Sequence, residues 1–459
     1  MAQQVTPLGK TWFNCATTGD SVECSDTSTE SQIIIPIKDI LCFVPNNRKH
    51  AHGYIMLFIQ KNACSLYPAF KVEGVRLRSA PSKLLSGRLL SDLPSHLNHS
   101  TNRDLRLHIV ISKASGTRTA NLYFNHILQQ LFDWVGIERY EVHETQSPQT
   151  ITELCHSLFI PQAEAGVPQT IILLSGDGGI GDIIDSFYGT KKGICTMPNI
   201  ALIPEGTGNA LANSIGLVAH PKAPLTALLC GKPCPLPVFV ATFSGGANYV
   251  QDGPAQPPLI DGSPSLTIYG GIVASWGIHA SLVADSDSPE YRKFGADRFK
   301  MAAKELLFPP DGSETHKYSG TITLIRRVDQ HNINHREILE HKKHMYVLVT
   351  LVSNLEKDFM ISPESAALDG SLRILRFGPM EPQRAMGLLS AAYRNGQHVQ
   401  DDEVMYAEIE ELKIDFHEAD KRWRRVCIDG RVVFVQDKGW MRVQKERRRL
   451  VNILLPELI

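Results

Sequence analysis

Three apolar runs in the first half of the chain each end in a loop of small residues that precedes a helix-like stretch. The runs cover residues 105–112, 170–175 and 199–204, and the last two end in glycine-rich turns. Repeated units of strand, loop and helix build a parallel sheet covered by helices. This pattern predicts an α/β fold with an N-terminal Rossmann-like domain that is built on a parallel sheet.

The second half of the chain follows a different pattern. After about residue 235, proline-rich breaks separate β-type runs, which predicts a C-terminal antiparallel β-sandwich with a helical insertion near 289–307. Near the start, apolar stretches within 33–60 predict a small strand-rich element, and the polar segment 14–32 is expected to be a mobile surface segment. We therefore expect an N-terminal extension (1–103), an α/β domain (104–235) and a β-rich domain (236–459).

Composition excludes several classes of protein. The 459 residues are 43% hydrophobic and carry a formal net charge of -1, so we expect no nucleic-acid partner, which would call for a basic excess. No apolar run approaches the roughly 18 residues that span a bilayer, and the first residues contain no apolar signal core. We expect a cytoplasmic protein with reduced cysteines that meets a membrane only peripherally.

Two glycine loops follow the second and third predicted strands. The first glycine loop (GDGG, 176–179) and the second glycine loop (GTGN, 206–209) each lie between a strand and a helix. Glycine lets backbone N–H groups approach phosphate oxygens, and a helix N-terminus adds partial positive charge. Because the carboxyl ends of parallel strands line one crevice, the two loops predict a phosphate-binding cleft.

An NAD(P)-dependent enzyme is an alternative interpretation of the first glycine loop. Gly176, Gly178 and Gly181 satisfy G-x-G-x-x-G, and Glu205 stands at about the spacing of a ribose-binding acid. Against this alternative, an earlier strand–helix unit precedes the fingerprint. In addition, Asp177 stands in the turn, where a carboxylate beside a pyrophosphate is unfavourable unless it takes a proton. The chain has no G-x-x-x-x-G-K-[ST] motif, so a P-loop is not expected.

Asp177 has two interpretations on the residues alone. Phosphorylation of an alcohol requires removal of the hydroxyl proton, and a positioned carboxylate does this while Mg²⁺ and cationic side chains hold the γ-phosphoryl group. The other interpretation is a turn residue whose carboxylate bonds its own backbone. The residues support the two about equally.

Several ordered motifs resemble the diacylglycerol kinase/sphingosine kinase superfamily. SGDGG at 175–179 is followed by GTGNALA at 206–212, in forms similar to the sphingosine kinase and ceramide kinase branch. The stretch 276–299 is similar to a sphingosine kinase segment in which acids precede arginines. P-E-S…D-G at 363–370 and I-D-G at 428–430 extend the resemblance, which covers roughly residues 105–435.

This resemblance implies a lipid kinase that uses ATP and Mg²⁺ to phosphorylate a hydroxyl of a sphingoid base, ceramide or diacylglycerol. The α/β domain would bind nucleotide, the β-rich domain would bind lipid, and Asp177 is implied as the catalytic base. The residues implied near the nucleotide are Ser112, Ser115, Gly116, Thr117, Thr145, Gly176, Gly178, Asp182, Gly206, Thr207, Gly208, Asn209, Arg292, Arg298 and Asp429. Those implied at the lipid head group are Ser175, Asp285 and Asp287.

Two departures from the family pattern keep alternatives open. The stretch 276–291 differs in length from typical sphingosine kinases, so Ser281 is an alternative to Asp287 at the acceptor. The late Asp-Gly-Glu motif has Arg431 in place of its final acid, which leaves the metal ligands unassigned. A catalytically weakened lipid-binding or regulatory protein therefore remains an alternative. The natural lipid and the oligomeric state, including a homodimer, are left open.

Overall fold

A computed structural model describes most of the chain. The described residues are 12–26, 32–46, 53–62, 68–191, 193–250, 266–287, 289–295, 297–328 and 333–456.

Six strands form a mostly parallel sheet. Across the sheet they are Lys232–Pro235, Asn452–Leu455, Asn199–Pro204, Gln169–Ser175, Arg106–Ile111 and Glu141–Glu144. Only the edge strand Lys232–Pro235 pairs antiparallel within this sheet. The central strands are almost continuously apolar because both of their faces are buried.

Helices cover both faces of this sheet. Successive side chains of a strand point to opposite faces of the sheet. Ile172 and Leu174 therefore pack in the core under one helical layer, and Ile171 and Leu173 pack in the core under the other. The first layer contains Ala120–Tyr123, Phe124–Leu128, Gln129–Val135 and Ala223–Cys230. The second layer contains Thr150–Leu154, Cys155–Phe159, Ile160–Glu164 and Asp177–Gly189.

The strand order reverses beside Arg106–Ile111. From this strand the chain crosses to the edge at Glu141–Glu144, and it then returns to Gln169–Ser175 on the other side. The loops that leave Arg106–Ile111 and Gln169–Ser175 therefore run to opposite faces and leave a crevice at the carboxyl ends of the strands. This is the usual position of a ligand site in an open α/β sheet.

Two seven-stranded antiparallel sheets form the second half. The first contains Thr267–Gly270, Val238–Phe243, Trp440–Glu446, Glu411–Phe416, Tyr318–Val328 and Ile333–Ile338 in this order, with Lys343–His344 paired to Tyr318–Val328. The second contains Asn248–Tyr249, Arg431–Phe434, Arg425–Ile428, Val273–Gly277, Tyr346–Thr350, Arg373–Phe377 and Val404–Glu408.

The fully buried Trp276 holds the two antiparallel sheets together. Its ring, which comes from the second sheet, packs edge-on against Tyr318 and Phe416 of the first sheet, with centroids 5.8 and 5.2 Å away. The prediction of a parallel α/β domain followed by an antiparallel sandwich is thus confirmed. One strand pairing was not predicted: the strand Asn452–Leu455, from the second half of the chain, pairs within the parallel sheet.

Helices and short elements complete the second half and the connectors. The helical insertion begins earlier than predicted, at Ile278. The remaining helices are Ser82–Leu85, Ala210–Ser214, Ile278–Ser286, Pro289–Arg292, Asp297–Leu307 and Pro382–Ala392, with 3-10 turns at Ile37–Asp39, Gln397–Gln400 and Lys421–Arg424. Asn354–Glu356 and Phe359–Met360 form a two-stranded sheet. Within the described ranges, every helix is too short or too polar to cross a bilayer.

The N-terminal region contains two small antiparallel sheets. One is built from Asn14–Thr18, Ser21–Ser25 and Gln32–Pro36, and the other from Ile40–Pro45, Tyr54–Lys61 and Phe70–Leu77. The expectation of a mobile segment at 14–32 is wrong for its first part. Val22 and Cys24 alternate with polar residues and are fully buried, so this polar sequence hides a half-buried strand. Residues 27–31 lie outside the described ranges.

Candidate functional site

Three loops meet at the carboxyl ends of the central strands. The backbone N–H of Ser112 donates to the carbonyl of Leu174 at 2.9 Å. The N–H of Gly176 donates to Ser115 Oγ at 3.0 Å, and the N–H of Glu205 donates to the carbonyl of Ser175 at 3.1 Å. The loop after Arg106–Ile111 and both glycine loops therefore form one continuous surface.

The two glycine loops touch main chain to main chain. A Cβ atom placed on Gly206 would lie 2.3 Å from the Cα of Gly176, which is far inside van der Waals contact. Gly116 has a φ of +49°, and a Cβ on it would lie 2.4 Å from the carbonyl oxygen of Glu205. Only glycine fits these positions, so the loops form a bare backbone cradle of the kind that accepts phosphate.

Asp177 is half-buried between the two glycine loops. It is the first residue of the helix Asp177–Gly189, and its carboxylate reaches the start of the next helix. Its Oδ2 accepts from the N–H of Ala210 at 2.8 Å, and its Oδ1 accepts from the N–H of Leu211 at 3.2 Å. Burial raises the pKa of Asp177, while these amide donors act to lower it. The result is a fixed carboxylate whose pKa lies above its usual range.

Asn209 closes the second glycine loop. It has a left-handed backbone (φ +52°), its Oδ1 accepts from the N–H of Gly206 at 2.9 Å, and its Nδ2 donates to the carbonyl of Gly206 at 2.9 Å. Asn213 Nδ2 donates to the carbonyl of Gly208 at 2.9 Å. Asn209 therefore shapes the loop, and the side chain of Thr207 lies exposed at its tip.

Hydroxyl side chains link the first polar loop to its neighbours. Thr117 and Thr119 are joined by a 2.7 Å hydrogen bond, and Thr119 Oγ1 donates to Glu205 Oε2 at 2.9 Å. Thr145 Oγ1 accepts from the N–H of Lys113 at 3.1 Å. Thr119 was missed by sequence reasoning, which also weighed Glu205 only as a ribose acid. Side-chain contacts between loops 86 residues apart have no local signal in a sequence.

Two of the predicted loop residues, Ser175 and Gly178, differ in their access to the crevice. The side chain of Ser175 is buried beneath the helix start, where a Cβ on Gly179 would lie 2.5 Å from its Oγ. Gly178 is exposed, and a Cβ on it would meet no atom within 4 Å. Gly178 therefore faces the open side of the loop, and Ser175 supports it from below.

Arg431 pairs with two acids on the helix that follows the first glycine loop. Its Nη2 lies 2.6 Å from Asp182 Oδ1 and its Nη1 lies 2.8 Å from Asp185 Oδ2. Burial raises the pKa of Asp182, and the guanidinium acts in the opposite direction. Asp185 also accepts from the N–H of Tyr269 at 2.9 Å. Sequence reasoning found Asp182 and missed Asp185, although the spacing of three places both on one face of the helix.

Asp429 is a buried carboxylate that clamps the second antiparallel sheet. It sits at φ +47° in the turn before Arg431, and its oxygens accept from the N–H groups of Gly271, Ile272 and Val273 at 2.7 to 3.1 Å. Burial raises the pKa of Asp429 to about 6 against the effect of these donors. A Cβ on Gly181 would lie 3.8 Å from the Cβ of Asp429, so this turn packs against the helix of the first glycine loop.

The predicted acceptor acids are engaged by arginines. Asp285 lies 2.7 Å from Arg425 Nη1 and 3.3 Å from Arg422 Nη2. Asp287 is more exposed, and its Oδ1 lies 3.7 Å from Arg298 Nη1. Arg292 ends the helix Pro289–Arg292, and its side chain lies outside the described part of the structure.

Ser281, the alternative acceptor residue, is buried. Its Oγ accepts a hydrogen bond from the hydroxyl of Tyr318 at 2.8 Å. The residues brought together at the loop surface are thus those of the glycine motifs, while Asp285 and Asp287 have arginine partners and Ser281 has a tyrosine partner.

The second half of the chain reaches the second glycine loop through residues 354–355. A Cβ on Gly208 would lie 3.1 Å from the carbonyl of Leu355, and the N–H of Asn354 donates to Ser214 Oγ at 3.0 Å. A small apolar crevice, with a cavity volume of about 10 Å³, opens beside this contact. Its lining includes Leu211, Ile215, Leu236, Leu351, Val352 and Leu368.

Part of the chain is similar to known proteins. Residues 106–240 match the family described as the diacylglycerol kinase catalytic domain. The chain is 30% identical over 158 residues to sphingosine kinase B of Dictyostelium discoideum; the match covers 34% of this chain and 19% of that protein, so the chain spans about a fifth of its relative.

Among solved structures, the chain is similar to a proposed diacylglycerol kinase from Bacillus anthracis str. Sterne. It is 12% identical, with a TM-score of 0.49, and the alignment covers 77% of this chain and 97% of that chain. A yeast NADH kinase complexed with NADH is 10% identical, with a TM-score of 0.36, over 77% of this chain and 84% of that chain.

The two glycine loops, the acid between them and the central strands of the parallel sheet lie within the residues that match the diacylglycerol kinase catalytic domain. The chain is thus similar to members of the diacylglycerol kinase/sphingosine kinase superfamily over this part of its length.

Proposed function

We propose that this protein is an ATP-dependent lipid kinase that transfers the γ-phosphoryl group to a hydroxyl of a sphingoid base, with ceramide and diacylglycerol as the related alternatives. The observation that carries the proposal is the position of Asp177. Its carboxylate is fixed between two glycine loops whose main chains touch at Gly176 and Gly206.

Asp177 is suited to act as the general base. A carboxylate offers about four lone-pair directions, and the amides of Ala210 and Leu211 occupy two of them. A remaining lone pair takes the hydroxyl proton while the acceptor oxygen bonds to the γ-phosphorus and the bond to the leaving ADP oxygen breaks. Its raised pKa improves proton affinity, and the amide donors keep it oriented.

The backbone cradle is suited to the nucleotide phosphates. Gly178 and Gly208 would present main-chain N–H groups to the phosphates, while Gly176 and Gly206, whose N–H groups bond Ser115 and Asn209, would let the two loops approach each other without side chains in the way. Ser112, Ser115, Gly116, Thr117 and Thr145 lie in the loops that extend this surface toward the rest of the nucleotide. Thr207 would contribute its exposed hydroxyl, while Asn209 would act by holding the loop closed.

The acids near the cradle do not fit a metal held by the protein. Magnesium sites use carboxylates together with substrate phosphates and water. Here Asp182 and Asp185 are bound by Arg431, and both oxygens of Asp177 accept backbone amides. Any Mg²⁺ used in the reaction would therefore be carried by the nucleotide phosphates, and Arg431 supplies the permanent cation of this region.

Recognition of the acceptor is assigned to the edge formed with the β-rich half. The aliphatic chain would begin at the apolar crevice beside Leu211 and Leu351, which has room for about one water-sized group and would have to open to take more of the chain. Asp287, with a half-exposed carboxylate, is better placed than Asp285 to meet an ammonium or hydroxyl, because two arginines hold Asp285. Arg298 would act through its ion pair with Asp287. Asp429 would act through the hydrogen bonds that its carboxylate accepts from backbone N–H groups.

The test is transfer of label from γ-labelled ATP to sphingosine, ceramide and diacylglycerol in mixed micelles. The proposal predicts a labelled lipid, with sphingosine the preferred acceptor. Lipid binding without labelling of any acceptor would instead support a catalytically weakened lipid-binding protein. Retained NAD(P)H absorbance in the pure protein would support the dinucleotide alternative.

A further inference from the structure

A second polar cluster lies at the edge of the parallel sheet, away from the glycine loops. It consists of His108, Glu141 and His143. His108 lies on the strand Arg106–Ile111 directly opposite Glu141 in the register of the edge strand. Both glycine loops follow the carboxyl ends of the strands, whereas the imidazoles of His108 and His143 pack against Phe159, and His108 also bonds Gln162. The cluster is therefore separate from the proposed kinase site.

The three side chains have the spacing of a metal-binding set. His108 Nδ1 lies 3.2 Å from His143 Nε2. Glu141 Oε2 lies 3.8 Å from His108 Nδ1 and 4.0 Å from His143 Nε2. A circle through these three atoms has a radius of about 2.1 Å, which is close to the zinc–nitrogen and zinc–oxygen bond lengths. A cation at its centre would be within bonding distance of all three atoms.

The surroundings of His108 match those of a ligating imidazole. Its Nε2 donates to Gln162 Oε1 at 3.0 Å, which leaves the Nδ1 lone pair directed toward the cluster. Metal-bound histidines usually donate their other N–H to such an oxygen, which fixes the tautomer and the ring orientation. Phe159 packs against both imidazoles, with ring centroids 5.0 and 6.1 Å away.

Burial shields the proposed ligand atoms from solvent. His108 is fully buried and the side chain of His143 is mostly buried, so little water competes for their ring nitrogens. Glu141 is about half exposed, so it can close on a cation by a few tenths of an ångström and leave a fourth position open to water.

We propose that His108, His143 and Glu141 form a binding site for a zinc-class transition metal ion, with water as the fourth ligand. Two imidazoles favour zinc, nickel, cobalt or copper over magnesium and calcium, which prefer oxygen-only ligands. The bound ion ties the edge strand Glu141–Glu144 to its neighbour, where Phe159 and Gln162 of the second helical layer also meet. It therefore stabilises an edge that is otherwise paired on one side only.

The test is titration of the purified full chain with Zn²⁺ by calorimetry, with Co²⁺ absorption as a second readout. We expect one equivalent bound with a dissociation constant at or below about 10 µM, and a rise in melting temperature with metal concentration. Because His108 is fully buried, the variants are His143→Ala and Glu141→Gln, each of which should weaken binding more than about 100-fold. Gln162→Leu should weaken it by about 10 to 100-fold.

His126→Ala is the matched control, since His126 is exposed on a helix of the other layer. It should leave the binding isotherm unchanged. Zinc binding that survives in the His143→Ala, Glu141→Gln double variant would place the metal elsewhere and overturn the proposal. Absence of a one-to-one site at 100 µM Zn²⁺ would also overturn it, and would leave the pair as a direct hydrogen bond between two neutral imidazoles.

Discussion

The two halves of the molecule hold their polar groups in different ways. In the α/β half, the polar groups of the proposed site lie in loops after strands, and main-chain contacts fix them, as at Gly206 and Asp177. In the β-rich half, polar groups are buried within or between strands. His344, for example, is fully buried, accepts from Arg376 Nε at 3.1 Å and bonds the carbonyl of Gly320 at 3.2 Å.

This difference determines what a short motif can specify. A glycine loop carries its geometry in consecutive residues, since the strand, the turn and the helix start are adjacent in the chain. A buried polar side chain depends on partners far away in sequence. It lowers the stability of the fold only when those hydrogen-bond or charge partners are lost. The α/β half should therefore respond to backbone changes, and the β-rich half should respond to loss of charge partners and to pH.

The largest expected loss of stability comes from Arg431, where the two halves meet. Arg431→Gln removes both ion pairs and leaves Asp182 and Asp185 as neighbouring uncompensated carboxylates. We expect the free energy of unfolding to fall by about 3 kcal/mol, measured by chemical denaturation. The matched control is Arg384→Ala, which breaks an exposed pair with Asp401 and should cost only a small fraction of this. Equal losses of unfolding free energy in the two variants would contradict the importance of the Arg431 ion pairs for the contact between the two halves.

A pH effect is expected from His344. Burial, with help from Arg376, lowers the pKa of His344 to about 4, below the usual value of about 6.5. The folded state therefore resists protonation. The stability that depends on neutral His344 is complete above pH 6.5, and about 2 kcal/mol of it is lost between pH 7 and pH 5.

Denaturation curves of wild type and His344→Gln at several pH values check this. The variant should show a flatter decline on acidification, and His126→Gln, at an exposed position, should follow the wild type. A decline of the same slope in His344→Gln would remove His344 as the cause. The buried His279, whose pKa burial also lowers to about 4, accounts for a remaining slope.

A smaller effect on stability is expected from Gly206→Ala. The added methyl group meets the main chain of Gly176, so the loops must separate, at a cost of about 1.5 kcal/mol. Nucleotide affinity should fall at least tenfold because the cradle is no longer closed. Gly189→Ala is the control, because Gly189 ends the helix Asp177–Gly189 and a Cβ on it would meet no atom within 4 Å. This variant should leave both the stability and the nucleotide affinity unchanged.

Sequence patterns predicted the parts of the fold that are periodic and local. The three central strands of the parallel sheet, the two glycine loops and the change to antiparallel strands all follow from runs of neighbouring residues. The pairing of the strand Asn452–Leu455 with the parallel sheet was not predicted, because strand pairing over 250 residues leaves no local trace in the sequence. The strand Ser21–Ser25 was missed because its composition is that of a loop.

The candidate site divides in the same way. The contiguous motif placed Asp177 and the glycines at one edge of the sheet, and their roles, like those assigned to Asp285 and Asp287, stay predictions. Arginines at 298, 422 and 425 bind these acids, and spacing along the chain could not reveal such pairs. His108 and His143 went unnoticed for the same reason, since 35 residues separate them and neither belongs to a motif.

The central claim is that Asp177 takes the proton from the acceptor hydroxyl. The most direct measurement is single-turnover transfer from γ-labelled ATP to the best lipid acceptor, for wild type, Asp177→Asn and the exposed control Asp133→Asn. The account predicts that Asp177→Asn transfers about 10² to 10⁴-fold more slowly, with ATP affinity within about threefold of wild type and an unchanged rate in Asp133→Asn. An Asp177→Asn rate within about threefold of wild type would contradict it.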